Sequence, residues 1–516
     1  MSRLVSVALT ISSGALYGLS YPTARLQLLA WVALVPFFLA LRGARLGWSL
    51  VLGWLWTTSA AWAVGDWFAT AVARYYQQPL VVGLGFFVGV SGLMAAPFYM
   101  TFAAAYRTLV RRSAPTTPLV VAAAWVAAEL ARTRLAGNPW ALFGYSQMGI
   151  DTLVQVADLA GVYGVTFVLV AVNAALAQLL VARGGERRAA VLSGMLTIGV
   201  AGAVLAYGSW RLAAAEDSGR PAEMVRVGMV QANLEIGALW NADDYGRNLD
   251  VYLQLTKDLL RTNPPPIVFW PESALTFFLE DEPLYRAAIA RVLAPHGAEL
   301  VAGGPRADGA ESHTYYNSAF HISPTGRILG VYDKQRLVPF AEYFPWRSLE
   351  LLRRRFARVR EFTAGASQPP FRTAAGPAGV TICNEAMFPE IASERVREGA
   401  RFLVDPAHDT WLTPRFSAQQ FDIVRLRAVE QRRWLVRAST SGPSAVVDPW
   451  GRVIVSTAFE TRTAVTGRII PRDDVTPYHR VGDAFAAGCT LVAIAAWLRG
   501  RRRSGAGSAR QRMPYF

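Results

Sequence analysis

The sequence predicts a polytopic α-helical membrane bundle of about eight spans that carries one inserted α/β domain. Hydrophobic residues make up 53% of the 516 residues, which is high for a soluble enzyme. Residues 1–210 are nearly all apolar blocks separated by short loops that contain arginine, whereas residues 211–475 have an ordinary globular mixture. Within 224–475, short β-branched runs alternate with helical stretches, and this alternation is typical of α/β domains.

The apolar blocks set the predicted domain boundaries. Most of them approach the roughly 20 residues that cross the hydrocarbon core of a bilayer, and the shorter ones fit within a bundle. We predict seven transmembrane helices within 1–210, a soluble domain over 224–475, a final transmembrane helix over 482–498 and a basic tail over 499–516. The eight predicted spans are 4–20, 26–41, 47–66, 79–105, 117–131, 155–182, 189–209 and 482–498.

The distribution of arginine predicts the orientation in the membrane. Loops rich in positive charge stay in the cytoplasm, so both termini are predicted to be cytoplasmic. After seven crossings the soluble domain is therefore predicted to be extracytoplasmic. The formal net charge of +15 comes partly from these loops, which lie near anionic lipid headgroups, so we expect no nucleic-acid partner. The loop arginines are Arg42, Arg45, Arg107, Arg111, Arg112, Arg183, Arg187 and Arg188, and the tail begins Arg499-Gly-Arg-Arg-Arg503.

The soluble domain contains a series of predicted strands and helices. Helical spacing covers 245–263, where the triplet Pro264-Pro-Pro266 ends it, and also covers 281–296. A hairpin is predicted around 317–322 and 326–332. The other predicted strands are 225–231, 267–270, 299–303, 379–383, 401–405, 434–438 and 444–447.

Reactive side chains follow three of these predicted strands. Cys383 is one of only two cysteines, and a thiol at a strand end is typical of a nucleophile. Glu272 follows a buried strand and a proline, where we expect desolvation to raise its pKa towards the range of a general base. Lys334 is one of two lysines among 52 basic residues, and an ammonium suits a developing oxyanion. Together they predict covalent acyl transfer without histidine.

Each of these residues also has a structural interpretation. A free cysteine is commonly a small buried hydrophobe, and from the local sequence alone that alternative is about as good as the nucleophile. Lys334 would otherwise be a surface lysine, which is our interpretation of Lys257 on the predicted helix 245–263. Cys489 lies in the last apolar block, so the two cysteines indicate no disulfide framework.

The motifs around these residues resemble the nitrilase, or carbon–nitrogen hydrolase, superfamily. They are Trp270-Pro-Glu272-Ser, the Lys334 segment continuing to Pro339-Phe-Ala-Glu-Tyr-Phe-Pro345, and Ile382-Cys-Asn-Glu-Ala-Met-Phe-Pro-Glu390. With the flanking spans, the resemblance narrows to the bacterial apolipoprotein N-acyltransferase family and covers nearly the whole chain. Further matches are Gly137-Asn-Pro-Trp140, Gly144-Tyr-Ser-Gln147, Gly161-Val-Tyr-Gly-Val-Thr-Phe and Val230-Gln-Ala-Asn233. The resemblance implies a nitrilase-like α-β-β-α sandwich for the inserted domain.

The resemblance also implies a reaction and a location. Cys383 would take an acyl chain from a membrane phospholipid, with Glu272 as base and Lys334 stabilising the tetrahedral intermediate. The thioester would then acylate the N-terminal amine of a diacylglyceryl apolipoprotein at the bacterial inner membrane, with no cofactor. Glu342 and Glu385 match acids that support the site in the family, and Trp240 and Trp411 match aromatic residues near the substrate.

The sequence departs from the family pattern close to the predicted nucleophile. Asn384 stands where a tyrosine is usual, His408 where an asparagine is usual and Leu412 where an aromatic residue is usual; Asp405-Pro406 also differs. These departures put the substrate preference in doubt and indicate a diverged or additional copy. Two alternatives stay open at this point: a membrane-tethered amidase or nitrilase that uses water as acceptor, and a non-catalytic lipid-binding scaffold.

Overall fold

The computed structural model describes residues 1–110, 114–216, 224–234, 244–309, 314–344, 361–410 and 413–510. The chain forms two compact units. Unit 1 contains Met1–Thr70, Pro79–Ala213 and Arg480–Phe516, and unit 2 contains Ala71–Gln78 and Ala214–His479. The predicted boundaries of the membrane helices and of the soluble domain stay a prediction.

Unit 1 is built from helices that begin and end close to the predicted apolar blocks. Two of the described helices are long and apolar enough to cross a membrane, Ala157–Val181 and Glu186–Ala214. A third span would be the pair Leu80–Met94 and Ala96–Leu109, which is bent by 47°. The prediction of about eight spans stays a prediction. The other described α-helices with residues in this unit are Arg3–Leu19, Val35–Leu41, Leu46–Gly65, Trp67–Tyr75, Thr117–Ala136, Asp151–Val154, Pro477–Val481 and Ala484–Arg510.

Two predicted spans are interrupted. The block 79–105 breaks at Ala95, and Pro97 lies in the first turn of the helix that follows. Proline lacks the N–H that would continue the hydrogen bonds of the preceding helix, so a bend at this point is expected. The block 26–41 consists of the 3-10 helix Gln27–Trp31 and the α-helix Val35–Leu41, which has Pro36 in its first turn.

Unit 2 contains two six-stranded sheets among the residues that the structure describes. The first has the order β12-β1-β2-β3-β4-β5 and the second the order β11-β10-β9-β8-β7-β6. The strands of the first are β1 Val225–Gln231, β2 Ile267–Phe269, β3 Glu299–Ala307, β4 Tyr315–Ile322, β5 Ile328–Asp333 and β12 Thr463–Ile469. Those of the second are β6 Phe371–Thr373, β7 Gly376–Val380, β8 Phe402–Ala407, β9 Leu435–Ser439, β10 Ala445–Val447 and β11 Val453–Ser456.

Alternating side chains of the strands define four layers. Val227 and Phe269 face the second sheet, where they join a core with Val404 and Val436. Their neighbours in sequence point the other way, because successive side chains of a strand alternate between faces. Those neighbours pack on the helices Tyr245–Thr262 and Pro283–Leu293, and the far face of the second sheet packs on Pro389–Arg397 and Pro414–Gln431. Unit 2 is therefore the α-β-β-α sandwich that the resemblance implies.

Most predicted strands of unit 2 are confirmed, with differences at the sheet edges. The strands β6, β11 and β12 have no predicted counterpart. Two of them, β6 and β11, end the order of the second sheet and have few residues, so their hydrophobic alternation is short. The predicted strand 379–383 is wrong at its end, because β7 stops at Val380 and Cys383 lies three residues beyond it. The predicted helix 281–296 has a shorter α-helical part, Pro283–Leu293, between two 3-10 turns.

Candidate active site

The strand directions bring the predicted reactive residues to corresponding edges of the two sheets. Strand β2 is parallel to β3, and two successive antiparallel pairings, β3 with β4 and β4 with β5, give β5 the same direction as β2. Glu272 and Lys334, which follow β2 and β5, are therefore at one edge of the first sheet. In the second sheet β7 and β8 are parallel, and Cys383 and His408 follow their carboxyl ends.

A tight turn after β2 positions Glu272. Ser273 has a φ of 59°, in the left-handed region that few side chains adopt. The turn packs directly on β3 at Gly303, where an added Cβ would lie 2.6 Å from the Glu272 Cα. Gly303 also donates its N–H to the Pro271 carbonyl at 3.1 Å. A residue with a side chain at 303 would push the turn away, so this glycine determines where the Glu272 carboxylate lies.

The Lys334 ammonium lies between two carboxylates. Its Nζ is 3.0 Å from Glu272 Oε1 and 3.0 Å from Glu342 Oε1, and the side chain is only 1% exposed. Asn317 makes the same bridge, because its Nδ2 donates to Glu272 Oε1 at 2.7 Å and to Glu342 Oε1 at 2.6 Å. Val338 N donates to Glu342 Oε2 at 2.7 Å. Lysine, amide and both acids thus form one buried hydrogen-bonded cluster.

The electrostatics of this cluster differ from the prediction at Glu272. Burial acts to raise the pKa of Glu272, as we expected, but the charges of Lys334 and His408 and the hydrogen bond from Asn317 outweigh it. The pKa of Glu272 therefore lies below its ordinary value, and the predicted upward shift is wrong. Burial acts to lower the pKa of Lys334, but Glu272 and Glu342 outweigh it and raise that pKa. At neutral pH both groups are ionised.

Cys383 lies at a sharp turn that begins the 3-10 helix Cys383–Met387. Its φ is 56°, again in the left-handed region, and such strain at a non-glycine residue is concentrated at functional sites. The Sγ atom lies 3.9 Å from the His408 carbonyl oxygen and 3.7 Å from Gln420 Nε2. Burial and the Glu272 charge raise the pKa of the thiol, against the opposite effect of Lys334. The thiol is therefore protonated at rest beside an ionised carboxylate.

Glu385 joins the Lys334 segment to the Cys383 segment. Its Oε1 accepts from the backbone N–H groups of Gln335 and Arg336, and its Oε2 accepts from Ile382 N at 2.8 Å and Tyr332 Oη at 3.1 Å. Burial raises the pKa of Glu385 to about 7, although Lys334 and the backbone donors oppose that rise. The carboxylate holds two reactive segments in register through four donors.

Two of the positions that depart from the family pattern, His408 and Asn384, contact residues of the site. His408 donates its backbone N–H to Glu272 Oε2 at 3.0 Å, a contact that any residue type except proline can make at 408. Asn384 Nδ2 donates to the Arg336 carbonyl at 3.1 Å, and within the described ranges its buried Oδ1 has no hydrogen-bond partner. Trp240 and Trp411, which we predicted to contact substrate, lie outside the described residues.

Several residues of the site were not identified from the sequence. Asn317, Gly303 and Gln420 each contact a predicted reactive residue through a different element. The sequence contains no clear signal for them, since Asn317 is only one of three polar residues in the predicted strand 317–322. With these residues added, the site combines a protonated thiol, an ionised base and a fixed ammonium. This set can form and break a covalent acyl-thioester.

The four-layer α-β-β-α sandwich, with Glu272, Lys334 and Cys383 following its strands, is the arrangement that the resemblance to the carbon–nitrogen hydrolase superfamily predicts. The family model "Carbon-nitrogen hydrolase" matches residues 226–480, and "Apolipoprotein N-acyltransferase N-terminal domain" matches residues 13–175. The chain belongs to the apolipoprotein N-acyltransferase family.

The relatives that support this assignment match over most of their length. The apolipoprotein N-acyltransferase of Geobacter metallireducens is 32% identical, covering 96% of this chain and 95% of its own. That of Bradyrhizobium diazoefficiens is 34% identical, covering 75% of this chain and 74% of its own. Among solved structures, the carbon-nitrogen hydrolase from Helicobacter pylori G27 has 17% identity and a TM-score of 0.39, covering 55% of this chain and 96% of its own.

Proposed function

We propose that this protein is an N-acyltransferase that moves an acyl chain from a membrane phospholipid to the N-terminal amine of a diacylglyceryl apolipoprotein, through a thioester on Cys383. The observation that carries the proposal is the buried Glu272–Lys334 pair beside a protonated thiol, in a chain that matches such acyltransferases over nearly its full length. The reaction is a step in lipoprotein maturation.

In the first half-reaction the proton of the Cys383 thiol moves to Glu272, and Sγ attacks the carbonyl carbon of the phospholipid ester. The oxyanion that forms is stabilised by the Lys334 ammonium, which costs no reorganisation because two carboxylates already hold it in place. When the intermediate collapses, the ester C–O bond breaks and Glu272 returns its proton to the leaving alkoxide. The products are the acyl-thioester and a lysophospholipid.

In the second half-reaction the amine of the apolipoprotein's N-terminal cysteine attacks the thioester carbonyl. Glu272 takes a proton from the nitrogen, Lys334 again faces the oxyanion, and the C–S bond breaks. Glu272 then protonates the departing thiolate, which regenerates the resting enzyme. A thioester is activated enough to acylate an amine, so the second half-reaction needs no other source of energy.

The remaining predicted residues support these three. Glu342 accepts from the ammonium, and Glu385 holds the segments that carry Lys334 and Cys383. Asn317, which was not identified from the sequence, donates to Glu342 and keeps that carboxylate in place. Trp240 and Trp411 would contact the lipid-bearing substrates, a role that rests on the family resemblance.

Both substrates are lipids or lipid-anchored, so the enzyme works at a bilayer. We propose about eight spans from 1–210 and 482–498, with the catalytic domain 224–475 on the extracytoplasmic side of the bacterial inner membrane. Both termini, including the basic tail 499–516, are then cytoplasmic. The support for this orientation is the clustering of arginine in alternate loops.

The test follows the acyl chain. Purified protein is incubated with a phospholipid that carries a labelled acyl chain, and a diacylglyceryl lipopeptide with a free amine is added afterwards. We expect a hydroxylamine-sensitive label on the protein that then moves to the peptide amine. Cys383→Ala should abolish labelling of the protein, whereas Cys489→Ala, which removes the other thiol, should leave the labelling unchanged.

Two other outcomes would refute the proposal, and each would favour a different function. Label that leaves the protein only as free fatty acid, at the same rate with and without lipopeptide, would identify a hydrolase. A folded protein that never acquires label would favour a non-catalytic lipid-binding scaffold.

A further inference from the structure

A buried amide on the helix Pro414–Gln431 contacts the sulfur of Cys383. Gln420 lies on the helix Pro414–Gln431 and is 1% exposed. Its Nε2 is 3.7 Å from Cys383 Sγ, and its Oε1 accepts from Arg437 Nη2 at 2.9 Å. No part of the chemistry proposed above uses this residue.

The contact with Arg437 determines which end of the amide faces the sulfur. A guanidinium has only hydrogen-bond donors, so the amide atom beside it must be the oxygen. The amide nitrogen, with its two N–H donors, is therefore directed at Sγ. Arg437 is itself held by a buried ion pair with Asp405 on the neighbouring strand β8. All three side chains are at most 1% exposed, so the amide cannot turn over without breaking a buried contact.

We propose that Gln420 is a further catalytic residue, whose amide N–H donates a hydrogen bond to the Cys383 thiolate, and that Arg437 and Asp405 are its positioning residues. The inference rests on the proposed function in one respect, that Cys383 is the nucleophile. It adds a donor for the sulfur to a site in which Lys334 serves the substrate oxygen.

The donor has a different effect on the two protonation states of the sulfur. A neutral thiol is a weak acceptor and can direct its own proton to the His408 carbonyl oxygen at 3.9 Å. A thiolate loses that contact and becomes a charged acceptor, for which the amide N–H is worth more. Gln420 therefore stabilises the thiolate, both when it attacks the ester and when it leaves as the thioester breaks. An interaction that is stronger in the reacting state than at rest contributes to catalysis.

The charged groups around the sulfur leave a role for a neutral donor. Glu272 and Asp405 disfavour the thiolate, whereas Lys334 and Arg437 favour it. Because the Asp405–Arg437 pair contributes charges of opposite sign, its two effects on the sulfur oppose each other. The amide N–H adds a favourable interaction without changing the net charge of the site.

Gln420→Glu tests this with the smallest change. A glutamate can still accept from Arg437 with one oxygen, but it directs an acceptor in place of a donor at the sulfur. Gln420→Met is the second variant, since it keeps the length of the side chain and removes the donor without adding charge. Gln431→Glu is the matched control, because Gln431 is buried on the same helix and its Nε2 donates to Ser393 instead of a thiol.

All variants are made in the full-length Cys489→Ala protein, so that Cys383 is the only thiol. The rate of alkylation of Cys383 by iodoacetamide is measured against pH, and folding is checked by thermal unfolding in detergent. We expect the midpoint of the alkylation profile to rise by about one pH unit or more in both Gln420 variants, and thioester formation to slow about tenfold at neutral pH. Arg437→Lys should move the midpoint in the same direction, since it frees the amide to turn over.

The proposal is overturned if folded Gln420→Glu or Gln420→Met has the same alkylation profile as Gln431→Glu. It is also overturned if neither Gln420 variant folds while Gln431→Glu does, because Gln420 would then have a structural role. Alkylation does not depend on lipid, so a parent protein that is alkylated normally but forms no thioester would refute the proposed function and leave this measurement intact.

Discussion

Replacing Lys334 with methionine should make the stability of the catalytic domain depend on pH in a way that the parent does not. The substitution removes the only ammonium in the cluster and leaves Glu272 and Glu342 facing each other in a buried space. Methionine fills much of the space of a lysine stem, so the change is mainly one of charge. The expected consequence is uptake of a proton by one of the two carboxylates near neutral pH.

The magnitude follows from the geometry around Asn317. Its Nδ2 lies 2.7 Å from Glu272 Oε1 and 2.6 Å from Glu342 Oε1, so the two oxygens can be at most about 5.3 Å apart. At an effective dielectric constant of about 20, two negative charges at that separation repel each other by about 3 kcal/mol. This energy corresponds to a rise of about two pH units in the pKa of one carboxylate.

The direction of the pH dependence follows from which state binds more protons. In the parent, the pKa of Glu272 is lowered, so its contribution to stability is present above its unfolded pKa and is lost as the pH falls. In Lys334→Met, one carboxylate has a raised pKa, so stability falls as the pH rises from about 4.3 through the folded pKa of that group. The difference in stability between the two proteins should therefore widen between about pH 4.5 and 7, to about 3 kcal/mol.

Thermal unfolding of both proteins across this pH range measures the difference, and Lys257→Met is the matched control. Lys257 is the only other lysine and is exposed on the helix Tyr245–Thr262, so its loss should change the stability by no more than about 0.5 kcal/mol at any pH. A gap between Lys334→Met and the parent that stays constant from pH 4.5 to 7 would refute the reasoning. It would mean that the two carboxylates do not interact as strongly as their shared contacts require.

Three further substitutions test other parts of the cluster. Glu272→Gln should fold with a loss of about 1–3 kcal/mol, since its oxygen can still accept from Asn317 and Lys334 but its amide nitrogen cannot accept from the His408 N–H. It should slow labelled thioester formation by about 10²–10⁴-fold; an unchanged rate in the folded variant would exclude Glu272 as the base. Lys334→Arg should lose activity despite keeping the charge, because Nζ is enclosed between two carboxylates at 3.0 Å. The larger guanidinium would overpack the site at a cost of about 1–3 kcal/mol in stability. Turnover near that of the parent would contradict this expectation. Glu385→Gln should lower the melting temperature, because the amide nitrogen cannot accept from the donors that now bond to a carboxylate oxygen. Each donor left unpaired costs about 1–3 kcal/mol of stability. An unchanged melting temperature would show that water replaces those contacts.

The sequence was sufficient to predict which residues come together, because the reactive groups follow strands of one sandwich. Glu272 and Lys334 each follow a short apolar run, and such a run predicts a strand directly from the sequence. Their meeting then follows from the parallel direction of β2 and β5. The prediction for Lys334 also used its rarity, since arginine provides nearly every other cation in the chain.

The exact geometry at the strand ends could not be predicted from the pattern of apolar residues. Cys383 lies three residues beyond the end of β7, at a turn where its backbone enters the left-handed region. A β-branched run before a cysteine does not indicate where the strand stops. The pKa of Glu272 was predicted in the wrong direction because burial was the only effect visible from sequence. Its partner Asn317 comes from a strand 45 residues away, and its backbone donor from His408 is 136 residues away.

The arrangement of the charges explains why the ammonium has two carboxylate partners. On the proposed mechanism Glu272 accepts the thiol proton and becomes neutral at the moment when Lys334 must face a new oxyanion. If Glu272 were the only partner, the ammonium would lose its anchor in that step and could follow the negative charge to the sulfur. Glu342 Oε1, 3.0 Å away, still accepts from Nζ and keeps it in place while the charge moves from carboxylate to thiolate to oxyanion. The proton stays inside the cluster throughout, so the net charge of the buried site does not change and no full desolvation cost is incurred. A carboxylate can therefore act as the base here without histidine, because a second carboxylate holds the lysine.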